Sequence, residues 1–258
     1  MTKKILVWGV GWLGFPLVKS LKEYNHKVIC VTRNTEKKQL LSSNFLDVFL
    51  VGELRENLGY LSECDVFILT IPPSIDAAFN DTLSLILSSL SPDCQVIYTS
   101  STGIYKNTNG LIDETAELDL KSSVFQTEDF LHKQSIDNLS ILRLGGLIGP
   151  KRHPVHFLAK KEINSNPSQV VNLIQQEDVI EVILRIIETK TTGIFNVCSS
   201  EHPVRIEYYN SAAKVFGLNS LSFENDEHQS GKIVDTKKLR GLFPNITCTS
   251  IYDFEKCR

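Results

Sequence analysis

Three glycines placed directly after a short apolar run constrain this sequence more than any other feature. Residues 5–14 read ILVWGVGWLG, and the FPLVKSLKEY that follows has the apolar spacing of an amphipathic helix. In such a strand–turn–helix unit, the first glycine of G-x-G-x-x-G permits the tight turn and the second allows the backbone to approach a pyrophosphate. The third glycine lets the helix pack on the sheet. The predicted cofactor contacts of this turn are Gly9, Gly11, Trp12, Leu13 and Gly14.

Apolar runs alternate with helical patterns along the first 150 residues. Strands are predicted over Lys27–Thr32, Asp47–Val51, Asp65–Thr70, Gln95–Ser100 and Ser140–Leu144. Helices are predicted over Thr35–Ser43, Ser74–Leu90 and Lys121–Asp137. Strands that are apolar throughout indicate a parallel sheet with helices on both faces. We therefore predict an α/β, Rossmann-type doubly wound fold, in which ligands bind beyond the carboxyl ends of the strands.

The pattern changes after Gly149 and Pro150. Residues 151–169 are polar and basic without a clear period, which predicts an irregular segment. The elements predicted next are a strand over Val170–Leu173, a helix over Asp178–Thr189 and a strand over Gly193–Val197. We predict a dinucleotide-binding core over residues 1–150. The mixed region 151–258 is expected to complete the sheet at about 170–200 and to form a small C-terminal substrate lobe.

Composition and charge exclude several classes of partner. The chain has 258 residues, 42% of them hydrophobic, and a net charge of −3 without a run of Lys or Arg, which argues against nucleic-acid binding. Its apolar stretches are too short to span a bilayer, and its first residues do not resemble a signal peptide. Six scattered cysteines without a C-x-x-C pair favour reduced thiols. We expect a soluble cytoplasmic protein that binds a small molecule and does not bind a membrane. The sequence does not decide whether the protein forms a homodimer.

Arg33 lies at the position where such a fold contacts the 2′ group of the adenosine ribose. An NAD site carries an acidic residue about 20 positions past the glycines, to accept from the 2′-hydroxyl. An arginine there can pair with a 2′-phosphate instead, and Lys37 and Lys38 add positive charge. The alternative is a solvated arginine on a loop. The sequence favours NADP as the cofactor, with NAD as the alternative.

Two further strand ends offer contacts to the adenosine. Glu53 follows the predicted strand Asp47–Val51, where a carboxylate can accept from the adenine amino group. The next strand ends in Thr70-Ile71-Pro72-Pro73, whose stiff backbone suits a wall beside the ribose. Thr70 and Pro72 are the predicted contacts of that wall. Loop residues of these types are common, so the prediction depends on their shared place at adjacent strand ends.

Hydroxyl side chains follow one another after the strand Gln95–Ser100. The segment reads TSSTGIY from Thr99 to Tyr105. Hydroxyl groups at such an edge can donate to a substrate carbonyl or to a developing oxyanion. Alternatively, a Ser/Thr run caps local backbone groups in a turn.

Several motifs agree in order and spacing with one protein family: GVGWLG, GEL, YTSSTGIY, LRLGGLIGP, VNLIQQEDVIEVI and GIFNV. Together they resemble an extended-type short-chain dehydrogenase/reductase, a class that includes the NAD(P)-dependent epimerase/dehydratase proteins. The combination of GVGWLGFPL, TSSTGIY, GPKRHP and GKIVD is most similar to the bacterial YeeZ-type group of atypical members. The resemblance covers Lys3 to about Gly217. It implies that Ser101, in the pattern S-x-x-x-Y with Tyr105, polarises the substrate oxygen.

The sequence departs from this family at the catalytic pair. The family carries Tyr-x-x-x-Lys on the helix after the fifth strand, and its tyrosine moves the proton. Alignment on the later helix glutamate, here Glu128, places Leu120 and Val124 at those positions. Neither side chain can transfer a proton. We expect the usual mechanism to be absent.

Other residues are candidates for the missing acid and for substrate binding. We hypothesise that Tyr105 or His153 donates the proton, since a phenol and an imidazole can both do so. Thr102, Arg152 and Lys160 are predicted to contact an anionic substrate, although a solvated basic loop explains the last two equally well. The leading hypothesis is an NAD(P)-binding oxidoreductase or epimerase-type protein acting on a carbonyl or nucleotide-sugar-like substrate. The alternative is a catalytically silent NAD(P)-binding sensor or scaffold.

Overall fold

A computed structural model describes the chain over residues 1–45, 47–72, 77–160, 163, 165–223, 231–246 and 248–258. Its strands are β1 (Lys4–Trp8), β2 (Lys27–Thr32), β3 (Val48–Leu50), β4 (Val66–Leu69), β5 (Gln95–Ser101), β6 (Gly110–Ile112), β7 (Leu139–Leu144), β8 (Gly146–Ile148), β9 (Leu173–Gln175), β10 (Gly193–Val197) and β11 (Lys232–Val234). Its helices are α1 (Gly14–Glu23), α2 (Thr35–Ser42), α3 (Val51–Glu56), α4 (Ala77–Ser89), α5 (Ser123–Lys133), α6 (Val155–Leu158), α7 (Gln176–Thr189), α8 (Arg205–Val215) and α9 (Lys237–Leu242). No described helix has the length and apolar character that a membrane span requires.

Seven of these strands form one sheet in the order β10-β7-β5-β4-β1-β2-β3. Strand β1 lies between β2 and β4 and pairs with both in parallel, with Ile5 opposite Val28 and Val66. The chain therefore builds one half of the sheet outward from β1, returns, and builds the other half from β4. The predicted doubly wound parallel sheet is confirmed. Its order reverses between β1 and β4, and ligands of such sheets bind at this switch point, beyond the carboxyl ends of the strands.

Contacts divide the chain into two compact units. The first comprises residues 1–100, 120–142 and 182–194, and the second comprises residues 101–119, 143–181 and 195–258. The first unit has an apolar core that includes Trp8, Phe67 and Tyr98. The core of the second unit includes Val155, Tyr208 and Phe254. The boundary expected near residue 150 stays a prediction.

One predicted strand was misplaced. The pattern over Val170–Leu173 predicts a strand there, but the strand lies over Leu173–Gln175, where Leu173 pairs with Gly146 of β8. Val170 instead forms an isolated bridge with Val204, and the Val171 N–H donates to the carbonyl of Pro203. The helix predicted from Ser74 begins at Ala77 in the described residues, and residues 73–76 lie outside them.

Candidate functional site

The glycine turn after β1 depends on two of its glycines for its own packing. Gly9 has φ +114°, a left-handed conformation that disfavours any side chain. A Cβ atom on Gly14 would lie 2.4 Å from the carbonyl oxygen of Gly9. Thr70, at the end of β4, donates its hydroxyl to the same oxygen at 2.7 Å. These contacts bring three predicted cofactor residues together and fix the shape of the turn.

Gly11 differs from its two neighbours in the motif. Among the described residues, a Cβ atom there would approach only the Gly9 oxygen, at 3.8 Å, and the Lys37 ammonium, at 4.0 Å. The protein's own packing therefore does not require a glycine at this position. The turn leads into α1, whose N-cap residue Leu13 is buried and supplies no side-chain hydrogen bond to the helix. Trp12 is half-buried between them.

A cavity of about 610 Å³ lies within the first unit, a volume suited to a small-molecule ligand. Two of the predicted adenosine contacts, Arg33 and Glu53, line it, whereas Thr70 and Pro72 do not. Further residues that the motifs did not indicate also line the cavity: Trp8, Arg55, Phe79 and Thr82. Trp8 is 2% exposed and stacks at 5.4 Å on Phe79. Its indole N–H has no hydrogen-bond partner among the described residues.

Glu53 is occupied by contacts of its own. Both carboxylate oxygens accept from the Lys38 ammonium, at 2.6 and 2.7 Å, and one also accepts from the Leu50 N–H at the start of α3. The Lys38 hydrogen bonds and the Leu50 N–H hold the pKa of Glu53 below its usual value. The role of Glu53 toward adenine stays a prediction. Pro72 is exposed, and Pro73 lies outside the described residues.

The hydroxyl run continues into one tight turn of the second unit. Ser101 ends β5, and its Oγ accepts the N–H of Gly103 at 3.0 Å. The sequence allowed this kind of contact as the alternative, in which a Ser/Thr run caps local backbone groups. The contact uses the hydroxyl oxygen of Ser101 as an acceptor, and the hydroxyl hydrogen can still be donated. Thr102, predicted to contact substrate, is 7% exposed at the start of the turn.

Tyr105 is held in a buried polar network of the same unit. Its phenol donates to the Asn196 side-chain oxygen at 2.5 Å and accepts from the Arg143 guanidinium at 3.1 Å. The Asn196 backbone N–H in turn donates to Glu114. Burial raises the pKa of Tyr105, although Arg143 opposes the shift. The phenol is therefore protonated at neutral pH, and its proton is already directed at an acceptor.

His153 lies in an aromatic cluster. It is 4% exposed and contacts the rings of Tyr208, Phe216 and Phe254. The Tyr208 hydroxyl donates to a backbone carbonyl, so its bond at 3.0 Å to His153 requires Nε2 to donate, while Nδ1 accepts from the Val155 N–H. Burial lowers the pKa of His153 to about 4. Both ring nitrogens are used within the cluster, which gives this residue a packing role.

The two predicted cations of the irregular segment lie on its surface. Arg152 and Lys160 are both exposed. The backbone of Arg152 bridges to Gly149, and the Lys160 N–H donates to the Phe157 carbonyl. Their predicted contact with an anionic substrate stays a prediction.

A curated relative decides the family. Protein YeeZ of Escherichia coli (strain K12) is 30% identical over 255 residues, which cover 92% of this chain and 93% of the relative. The chain belongs to the YeeZ family. The resemblance to the bacterial YeeZ-type group is thereby confirmed. No protein-family model matches the sequence.

Solved structures show the same fold over the whole length of this YeeZ-family chain. The Bordetella bronchiseptica enzyme WbmG in complex with NAD has a TM-score of 0.80 at 15% identity, over 100% of this chain and 93% of its own. The UDP-glucuronic acid 4-epimerase of Bacillus cereus in complex with NAD has a TM-score of 0.76 at 21% identity, over 99% and 97%. A conserved protein of unknown function from Silicibacter pomeroyi has a TM-score of 0.76 at 20% identity, over 97% and 95%.

Helix α5 of this YeeZ-family chain carries no tyrosine. Its buried Glu128 instead accepts the hydroxyl of Ser100 at 2.5 Å. Leu120, which the sequence predicts at the family's tyrosine position, precedes the helix and is 62% exposed. Val124, predicted at the lysine position, is half-buried in the first turn of the helix. The α5 helix thus serves to anchor the end of β5 through Glu128.

Proposed function

We propose that this chain binds a nicotinamide dinucleotide, with NADP favoured, and acts as an oxidoreductase or epimerase-type protein. The observation that carries the proposal is the open position at Gly11. Gly9 and Gly14 are needed by the turn itself, whereas the side chain missing from Gly11 leaves room beside a lysine ammonium. A pyrophosphate suits such a place because it is anionic and must approach the backbone closely.

Positive charge near the cavity of the first unit, where we place the adenosine, supports the preference for NADP. Arg33 and Arg55 both line this cavity, and Lys37 lies beside the glycine turn. Glu53 is paired with Lys38, so a ribose hydroxyl would have to share this carboxylate with the ammonium. A 2′-phosphate is the anion that distinguishes NADP, and a guanidinium pairs with it in bidentate geometry.

The second unit supplies the groups for chemistry on a carbonyl. When bound, the nicotinamide would supply or accept a hydride. Ser101 donates its hydroxyl hydrogen to the substrate oxygen, because its own oxygen is fixed by Gly103. The proton donor is Tyr105, although its phenol must first leave Asn196. An anionic or nucleotide-linked substrate is supported by the UDP-glucuronic acid 4-epimerase that shares the fold.

Titrations of NADPH and NADH, followed by the change in nicotinamide fluorescence, test the cofactor assignment. Arg33→Asp is expected to weaken NADPH binding relative to NADH by about 1.5–3 kcal/mol, the value of a hydrogen bond to a charged group. Lys27→Asp is the matched control, since it makes the same charge change at the opposite, exposed end of β2. An unchanged preference in Arg33→Asp refutes the role of Arg33. Failure of the wild-type chain to bind either nucleotide refutes the proposal.

A second function is favoured by the state of the catalytic candidates. The α5 helix lacks a tyrosine, and the phenol of Tyr105 and the ring of His153 are already hydrogen-bonded. These observations support a sensor or scaffold that binds the nucleotide without turnover. Loss of nicotinamide absorbance over a panel of carbonyl compounds and nucleotide sugars discriminates the two. Tight NADPH binding without hydride loss to any of them supports the sensor.

A further inference from the structure

The ammonium of Lys232 lies half-buried in the second unit, beside Tyr105. It donates to the backbone carbonyl oxygen of Tyr105 at 3.1 Å and lies 5.9 Å from the centre of the Tyr105 ring. No carboxylate of the described residues forms an ion pair with it. A charged group removed from water without a counter-ion is costly, so its retention needs a reason.

The chain holds the backbone of Lys232 in place from both sides. Strand β11, which begins with Lys232, pairs in parallel with β6. The side-chain amide of Asn172 spans the strand, since it donates to the Lys232 carbonyl at 2.9 Å and accepts from the Val234 N–H at 3.0 Å. Such a clamp fixes the direction in which the lysine side chain leaves the strand.

The residue before Lys232 is fixed as well. Gly231 has φ +71°, and its N–H donates to the side chain of Asn109 at 2.9 Å. The positive φ favours glycine, and a Cβ atom there would also lie in tight contact with the Gln169 side chain, at 3.1 Å. The Gly-Lys pair of the GKIVD motif is thus a built feature, one that the predicted set of site residues did not include.

A second cation shares the Tyr105 ring with this ammonium. Arg143 lies on the same Tyr105 ring, with its guanidinium carbon 5.0 Å from the ring centre. Two carboxylates of the same unit have other partners: Glu114 accepts from the Asn196 N–H, and Asp235 pairs with Lys237. Burial lowers the pKa of Lys232, as expected for an ammonium that lacks a counter-charge.

We propose that Lys232 binds an anionic oxygen of the substrate, carried by a carboxylate or a phosphate. An anion there supplies the counter-charge that the described residues do not provide, and Ser101 and Tyr105 lie in the same unit. The assignment to the substrate rests on the proposed function, while the anion site itself does not.

Acetylation of the full-length wild-type chain at a low dose of reagent, read by peptide mass spectrometry, tests this site without a variant that might misfold. Lys238 is the matched control, since it also lies over a ring, 5.0 Å from the centre of Phe195, but is exposed. Inorganic phosphate and acetate are titrated separately, with chloride at equal ionic strength. Mass action gives a protection of about threefold when the anion is at about twice its Kd.

Saturable slowing at Lys232 of at least about threefold, with Lys238 unchanged, supports the proposal. Protection by phosphate alone shows that the site takes a phosphate, and protection by acetate alone shows that it takes a carboxylate. Protection by both shows that it takes an anionic oxygen of either kind. Equal effects on both lysines, the same effect with chloride, or no protection overturn it. NADPH binding is measured on the same samples: protection without NADPH binding refutes only the proposed function, and NADPH binding without protection refutes only the lysine site.

Discussion

Replacing two glycines of the same turn by alanine is expected to have different effects, one on stability and one on ligand binding. Gly14→Ala places a methyl carbon 2.4 Å from the Gly9 carbonyl oxygen and 3.1 Å from Thr70 Oγ1, in a turn that cannot yield without losing its shape. Gly11→Ala places it no closer than 3.8 Å to any such atom. Stability should therefore fall in the first variant and ligand binding in the second. Gly59→Ala is the control, because its methyl group meets nothing within 4 Å.

The magnitudes follow from the contacts. Overpacking of this kind costs roughly 1–3 kcal/mol, so Gly14→Ala should lower the free energy of unfolding by about that amount. For a chain of this size each kcal/mol lowers Tm by about 2–4 °C. Gly11→Ala should leave Tm unchanged and remove about 1.5–3 kcal/mol of charged hydrogen bonding to the pyrophosphate. That loss is about a 10- to 150-fold weaker binding of NADPH.

Calorimetric melting and NADPH titration on the three variants separate these effects. A Gly11→Ala protein that melts like the wild type but binds NADPH equally well refutes the assignment of the pyrophosphate to this turn. A Gly11→Ala protein that melts as low as Gly14→Ala refutes the claim that the protein's own packing leaves the position open. The Gly59→Ala protein must match the wild type in both measurements for either conclusion to stand.

Three further substitutions probe single contacts. Tyr105→Phe leaves the Arg143 and Asn196 groups without the phenol and should lower the free energy of unfolding by about 1–3 kcal/mol, measured by urea unfolding. The folded-state pKa of His153 is lowered to about 4 from 6.5, so the unfolded chain binds a proton that the folded chain does not. The contribution of neutral His153 to the free energy of unfolding is complete above pH 6.5 and falls by about 3 kcal/mol toward pH 4. Urea unfolding of His153→Phe at a series of pH values should lack this dependence on pH. Lys38→Met should raise the pKa of Glu53 toward its usual value, which carboxyl chemical shifts in NMR can follow, and an unchanged pKa contradicts the ion pair.

The sheet could be predicted because its strands are apolar on both faces. Strands β2 and β10 lie over the predicted residues, Lys27–Thr32 and Gly193–Val197. The short strands β6, β8 and β11 were missed, since none of them lies in an uninterrupted apolar run like the one that revealed the equally short β3. Strand β9 was misplaced for a related reason: its pairing with β8 depends on a distant contact and not on local composition.

The residues around the glycine turn could be foreseen because one motif fixes them in order along the chain. The Tyr105 network could not, since Arg143 and Asn196 belong to different strands and read as ordinary strand residues. The contacts of His153 could not be predicted either. A histidine in a basic loop suggests chemistry, but only packing reveals that Tyr208 and Val155 use both of its nitrogens.

The chemistry of the second unit depends on which hydrogens remain to be donated. His153 donates Nε2–H to Tyr208, and the Tyr105 phenol donates to Asn196, so either must break a buried hydrogen bond before it serves a substrate. Ser101 uses only its oxygen, in the contact with Gly103, and Lys232 has three donors against one carbonyl acceptor. Under the proposed function, Ser101 therefore meets a substrate oxygen at the lowest cost, and Lys232 meets an anionic group. It follows that Ser101→Ala should impair turnover more than His153→Phe, and the reverse order would show that the imidazole leaves its cluster during the reaction.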